Sequence, residues 1–256
     1  MDWSQNTQSI PRRVTSSPWS GYEHVRGYGV LSLPFSSGHN LGLRVFPESD
    51  FAPYVSVWHQ TPDGNWSIYN DGPSLNVTCP RWWGPALSNA ALASIDVSWT
   101  DRDALRVEME SPRLTWTMKL LTPPALEAMN AVSARLPLWT WRFRVLRRLR
   151  EWGAEWAGMG SLQFRFTTPS GHDTTIMPEQ VAFIRSSDAS WNGQPLGDPV
   201  RLDETPTIAG VPLPRGPTFM IGQAHARITD EEEYRRTREA ARAHDRSTQA
   251  TMRAGG

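Results

Sequence analysis

A single cysteine, Cys79, stands in an otherwise thiol-free chain of 256 residues, which excludes an intramolecular disulfide framework and a multi-cysteine zinc site. One thiol fits a reducing compartment, and the expected location is the cytoplasm. Lysine is equally scarce: Lys119 is the only one, and arginine supplies the positive charge. Net charge is zero, with 26 basic and 26 acidic residues, so the basic excess of a general nucleic-acid binder is missing. No run approaches the roughly 18 apolar residues that cross a bilayer, and the polar segment Met1 to Pro18 lacks the apolar stretch of a signal peptide. The six histidines show no His-x-His or His-x-x-x-His spacing, and Walker, Gly-x-Gly-x-x-Gly and Gly-x-Ser-x-Gly motifs are absent. The expectation is therefore no metal and no cofactor.

Tryptophan is abundant instead, at 13 residues. Indole offers a broad apolar face with one donor, which suits a core or a pocket wall. From Tyr28 onward, short alternating runs are broken by Gly, Pro, Asn and Asp turns. Gly29 to Phe35 and Leu41 to Phe46 read as strands. Tyr54 to Gln60 and Trp66 to Asn70 form the clearest hairpin, because Pro62-Asp63-Gly64 supplies a fixed φ, a side-chain acceptor and a positive-φ position. Ser94 to Thr100, Ala104 to Glu110 and Arg113 to Leu121 make a meander with apolar residues at alternate positions. Further strands are expected at Ser161 to Thr167, Thr174 to Arg185 and Thr218 to Ile228.

Between the meander and these strands the period changes. Residues about 124–157 read as a helical insertion divided by Pro137, in which Leu138, Trp141, Val145, Leu149, Trp152 and Trp156 recur at spacings of three and four. The arginines from Arg135 to Arg150 give it a basic side. That side is either a solvated face or a contact with a membrane surface, flanked by Trp139 and Trp152. Thr229 to Glu232 fits a capping box that opens a helix over 229–244, poor in apolar residues and expected to stand in solvent. Residues 1–18 and 245–256 are expected to be disordered tails. The whole reads as one mainly β domain over 19–228, a lipocalin-like antiparallel barrel or strongly curved sheet with one helical insertion and a C-terminal helix.

Val55 to Arg81 holds the densest mixture of reactive and aromatic side chains. Val55, Val57 and His59 share a strand face, as do Ser67, Tyr69 and Asp71 on the returning strand, so His59 can meet Tyr69 or Asp71 if the register allows. A histidine held by a carboxylate is a general acid–base unit; the plainer reading is a hydrogen-bonded histidine on a half-exposed strand. Arg81, beside Trp82 and Trp83, can grip a carboxylate or enolate oxygen, or it is a stacked structural arginine. Cys79 reads as a small core residue rather than a nucleophile. Trp58, Trp66, Trp82, Trp83 and Trp116 are the expected walls of an apolar pocket.

Ala52-Pro53-Tyr54, Trp66-Ser67-Ile68-Tyr69 and Ala104-Leu105-Arg106-Val107 together resemble the carotenoid 1,2-hydratase (hydroxyneurosporene synthase) and AttH-like group. Ser56-Val57-Trp58-His59 and Arg215-Gly216-x-x-Phe219 resemble a set of actinobacterial proteins. The resemblance touches about a third of the chain and assigns no catalytic residue. It implies a lipocalin-like barrel, a cavity and a bulky apolar ligand; relatives of the group include intramolecular cyclases of natural-product biosynthesis. The expected function is a cofactor-independent cyclase, isomerase or hydratase acting on an isoprenoid- or polyketide-like molecule. His59 and Asp71 would be acid and base, Tyr69 a donor and Arg81 the oxyanion grip. The alternative is a non-catalytic carrier of lipid or pigment.

Overall fold

Strand pairing follows chain order almost throughout. The computed structural model describes the backbone of residues 1–254 and side chains as far as residue 243. The main sheet is built from β1 (Tyr22–Pro34), β2 (Asn40–Ser49), β3 (Tyr54–Gln60), β4 (Trp66–Asp71), β5 (Asn89–Leu92), β6 (Ile95–Asp101), β7 (Ala104–Met109), β8 (Leu114–Leu121), β9 (Asp173–Trp191) and β10 (Thr218–Arg227). Their spatial order is β5-β4-β3-β2-β1-β10-β9-β8-β7-β6. Strands β1 and β10 zip together the two halves of the chain, and the path ends at β5 on one side and β6 on the other. These ladders are antiparallel except that of β4 with β5. The expected mainly β chain, with a strongly curved sheet, a helical insertion and a C-terminal helix, is what the structure shows.

Alternation explains the curl. Leu105, Val107 and Met109 of β7 oppose Met118, Trp116 and Leu114 of β8, all buried on one face. That face continues through Ala189 of β9, Phe219 of β10, Val30 of β1, Leu43 of β2 and Val57 of β3. Residues from both ends of the path meet in one buried cluster, so the sheet wraps this face and fills it with side chains. Tyr28 of β1 and Trp99 of β6 meet across it with ring centroids 6.4 Å apart.

The N-terminal residues pack into the same core, which corrects the expected tail over 1–18. Helix α1 (Trp3–Gln8) is capped by Asp2, whose carboxylate accepts from Gln5 N at 2.9 Å. Trp3 is buried edge-on to Phe219 and donates its indole N–H to Thr122 Oγ1 at 3.0 Å. Trp3 and Ile10 anchor the segment in the core, Asn6 donates to Gln180 Oε1 at 3.1 Å, and Arg13–Val14 pairs with β2, ties that its polar composition hides.

The outer face of the sheet is covered in two places. Helices α2 (Pro80–Trp83) and α5 (Glu231–Ala254) cover one cluster. A flap made of α3 (Pro124–Ser133), a 3-10 turn (Leu138–Arg142) and α4 (Arg144–Trp156) covers the other. The expected solvated helix is thus a docked one: Tyr234 and Ala241, two turns apart, are buried, and the Tyr234 hydroxyl donates to Asp50 Oδ2 at 2.7 Å. Its cap is Asp230, whose Oδ1 accepts from Glu232 N and Glu233 N at 2.9 Å, rather than a box on Thr229. The expected disorder from 245 onward falls on residues whose side chains lie outside the described set; α5 itself runs to Ala254.

Two glycines let β1 and β2 meet. A Cβ on Gly27 would fall onto Val45 O, and one on Gly29 onto Leu43 O. Gly27→Ala is expected to lower stability by about 1–3 kcal/mol, read as a lower urea midpoint at unchanged slope. An unchanged midpoint would show that the strands can part there at no cost.

The flap reads as helix from its spacing, yet its apolar stripe points the other way from most amphipathic helices. Trp141 and Ala154 are buried, while Val145, Leu149, Trp152 and Trp156 face outward.

Candidate functional site

The sheet's inner face is filled, and the open space lies on its outer face. A small chamber of about 110 Å³ is walled by Trp58, Tyr54, Cys79, Trp82, Trp83 and Phe166. A larger one of about 650 Å³ lies under the flap, against β1, β9 and β10. Leu31, Leu162 and Phe164 line both, so the two are neighbours with a shared wall. The barrel analogy places a pocket on the inward strand faces; here those faces carry the core, and the helices roof the cavity instead.

The larger chamber is almost wholly apolar, with Leu136, Trp141, Leu146, Met159 and Met220 among its walls. Its Asn130 is satisfied: it donates to Val181 O at 2.8 Å and accepts from Val181 N at 2.9 Å, hitching α3 to β9. Arg150 is less settled. Its guanidinium lies 4.1 Å over Trp141 and donates to Thr140 Oγ1 at 2.8 Å, but Nη1 is buried with no acceptor among the described residues.

Arg44 is its counterpart in the small chamber. Its Nη1 donates to the carbonyls of Val30 and Leu43, and its Nη2 to Leu31 O at 3.1 Å. The β1 carbonyls it serves lie where β1 slips register between Val30 and Leu33, which gives a charged residue a reason to stand in an apolar strand. The guanidinium lies 4.8 Å over the Trp58 ring. Burial lowers its pKa to about 10, and among the described residues it has no carboxylate partner. Beside it the Tyr54 hydroxyl and Cys79 Sγ are 3.7 Å apart. Burial pushes both of their pKa values up, so they stay protonated, and Cys79 behaves as the core residue its size suggests.

The hairpin residues expected to act together share a face without forming a site. The register pairs His59 with Ser67, Val57 with Tyr69 and Val55 with Asp71, so all three face the same way, as alternation predicts. His59 stacks on Trp191 at 3.8 Å between centroids, and its Nε2 lies 2.8 Å from His39 Nδ1. Desolvation, and then the neighbouring His39, lower its pKa to about 4, so it is neutral and partnered by a histidine rather than a carboxylate. Tyr69 packs on the same Trp191 at 5.7 Å. Asp71 is exposed and accepts from Ile95 N at 3.0 Å, fixing the start of β6. Neither chamber reaches these three side chains.

Arg81 is fully engaged. It donates to Glu23 through Nε at 3.0 Å and Nη2 at 2.6 Å, and to Glu233 through Nη1 and Nη2 at 2.9 Å. Glu23 also accepts from the Trp82 indole at 2.9 Å. This arginine bolts α2 and α5 to β1 and has no donor to spare for a ligand. Of the five tryptophans, Trp58, Trp82 and Trp83 wall the small chamber. Trp66 packs behind Trp58 with centroids 6.3 Å apart. Trp116 lies in the inner core, its N–H on Ser187 Oγ at 2.9 Å. Sequence reasoning missed Arg44, whose signal was a lone charge within Leu41-Gly42-Leu43-Arg44-Val45, and Tyr54. Comparison of the chain with protein-family models, with curated proteins and with solved structures finds no match.

Proposed function

We propose that the protein takes up a bulky, mostly apolar small molecule between its sheet and its helical flap and acts as a carrier. The observation that carries this reading is the larger chamber, about 650 Å³ and apolar on nearly every side, a size ordinary for small-molecule sites. The ligand's body would fill that chamber. An acidic or carbonyl oxygen on it would meet Arg150, whose Nη1 is buried with no acceptor among the described residues. An isoprenoid- or polyketide-like ligand, as the resemblance to the carotenoid 1,2-hydratase group implies, has this character.

Gly153 provides the test. It lines the larger chamber, and a side chain there would enter open space. Gly153→Phe should leave the fold intact, since most residues favour helix over glycine, while occupying the ligand's volume. The expected result is tight binding of the apolar probe 1-anilinonaphthalene-8-sulfonate to the parent, weakened at least tenfold in Gly153→Phe, with no fall in thermal midpoint. Equal probe binding by the two proteins would refute occupancy of this chamber. Native mass spectrometry of the parent should also release a mass of a few hundred daltons.

A catalytic reading stands beside the carrier because of the small chamber's aromatic wall. Trp83 lies edge-on to Trp58 at 5.3 Å and 5.9 Å from Phe166. Such faces stabilise developing positive charge during an intramolecular cyclisation, isomerisation or hydration. That chemistry would use Tyr54 and Arg44 as hydrogen-bond donors in place of His59 and Asp71. Conversion of the released ligand by the parent, abolished in Trp83→Leu with binding retained, distinguishes it from carriage.

A further inference from the structure

We infer that the flap is a docking surface for an anionic lipid bilayer. Large apolar side chains are exposed along it in dense succession: Trp139 at 57%, Val145 at 70%, Leu149 at 58%, Trp152 at 66% and Trp156 at 84%, with Phe143 at 55%. Elsewhere among the described residues the large exposed apolar side chains are isolated, at Met1, Leu92 and Leu121. Scattered exposure of that kind is normal, whereas a concentrated patch marks a contact surface. On α4, Val145, Leu149, Trp152 and Trp156 are spaced four, three and four residues apart, which places them on one side of the helix.

Charge and residue type identify the occupant. Arg135, Arg142, Arg144, Arg147, Arg148 and Arg150 stand against only Glu151 and Glu155 between residues 135 and 156. Arg144 and Arg148 flank the apolar stripe, are exposed, and have no carboxylate partner among the described residues. Indole and phenyl rings set among guanidinium groups match the headgroup zone of a membrane, where the rings sit at the apolar boundary and the cations meet lipid phosphate. The helix has 13 residues, and no described helix is long and apolar enough to cross a membrane, so the flap would lie in the interface plane. The geometry of the cavity agrees with this. Val132, Leu136, Leu146 and Leu149 are exposed and also line the larger chamber. Docking would bring that mouth against the acyl boundary, giving an apolar molecule a route that avoids water.

The test is vesicle co-sedimentation with the full chain. Parent protein, Trp152→Ser/Trp156→Ser and Arg144→Glu/Arg148→Glu are each mixed with phosphatidylcholine vesicles, with or without phosphatidylglycerol. All substituted positions are exposed, and circular dichroism confirms the fold. The expected result is binding to the anionic vesicles that falls at least tenfold in either variant and weakens with salt. Parent protein that stays in the supernatant with anionic vesicles overturns the proposal. So does equal binding to neutral vesicles, or binding that survives both pairs of substitutions. If the parent is instead a lipid-independent dimer that either variant converts to monomer, the face joins two copies and the proposal fails. An empty cavity in the Gly153 experiment leaves this result untouched, so the two readings fail separately.

Discussion

Arg81→Met is expected to lower stability by about 3–5 kcal/mol, a fall in thermal midpoint of roughly 10 °C for a domain of this size, with probe binding retained below the transition. Glu23 is 1% exposed and Arg81 7%, so removing the arginine strands a buried carboxylate with only the Trp82 indole as donor. Burial alone would lower the Arg81 pKa, but hydrogen bonds to Glu233 and Glu23 outweigh it and hold the value above the ordinary one. The double variant Arg81→Met/Glu23→Leu should recover much of the loss, because the cost lies in the unpaired charge rather than in the missing contact. Weakened probe binding at unchanged stability would return Arg81 to the role of ligand grip.

Acid is the second lever. His59 and His225 are 4% and 0% exposed, and burial, with the second histidine beside each, lowers their pKa values to about 4 and about 3. An unfolded histidine takes its proton near 6.5. Below that pH the unfolded chain gains protons that the folded chain refuses. Stability is therefore complete above about pH 6.5 and falls as pH drops, by about 1.4 kcal/mol per pH unit for each group. Asp50 works the other way: burial raises its pKa from 3.8 to about 6, so the folded state gains from its protonation as pH falls through 6. The sum at pH 5 is a net loss of roughly 3 kcal/mol relative to pH 7.5. Buried His24 and His172, also lowered by desolvation, add to it. Thermal midpoints across pH 4.5–8 should trace this slope, and His225→Gln should flatten it. A flat profile in the parent would mean that these histidines are solvated.

What the sequence discloses follows how local each interaction is. The meander from β6 to β8 is legible because its partners are adjacent and one face is wholly apolar. The start of β1 is not: Glu23, His24 and Arg26 break the alternation, and their partners Arg81, Gln223 and Glu179 lie 58, 199 and 153 residues away. Arg44 is opaque for a related reason, since the carbonyls it serves exist only where β1 slips register. Periodicity shows that α4 has two unlike sides but not which one the sheet takes. In this chain the sheet takes Ala154 and leaves Trp156 outside.

The pairing of β1 with β10 also governs how the chain comes to be folded. Along the path from β5 to β6, every ladder joins strands of consecutive number except the one at its middle, between Tyr22–Pro34 and Thr218–Arg227. During synthesis, β1 must wait for its last neighbour while the intervening residues are made, on the order of ten seconds or more at cellular rates. Throughout that interval a long strand edge is exposed, the kind of surface on which nascent chains aggregate. Contacts this distant in sequence also slow the final closure. The pairing that joins the two halves of the sheet therefore comes late in synthesis, after β1 has waited with one edge unpaired.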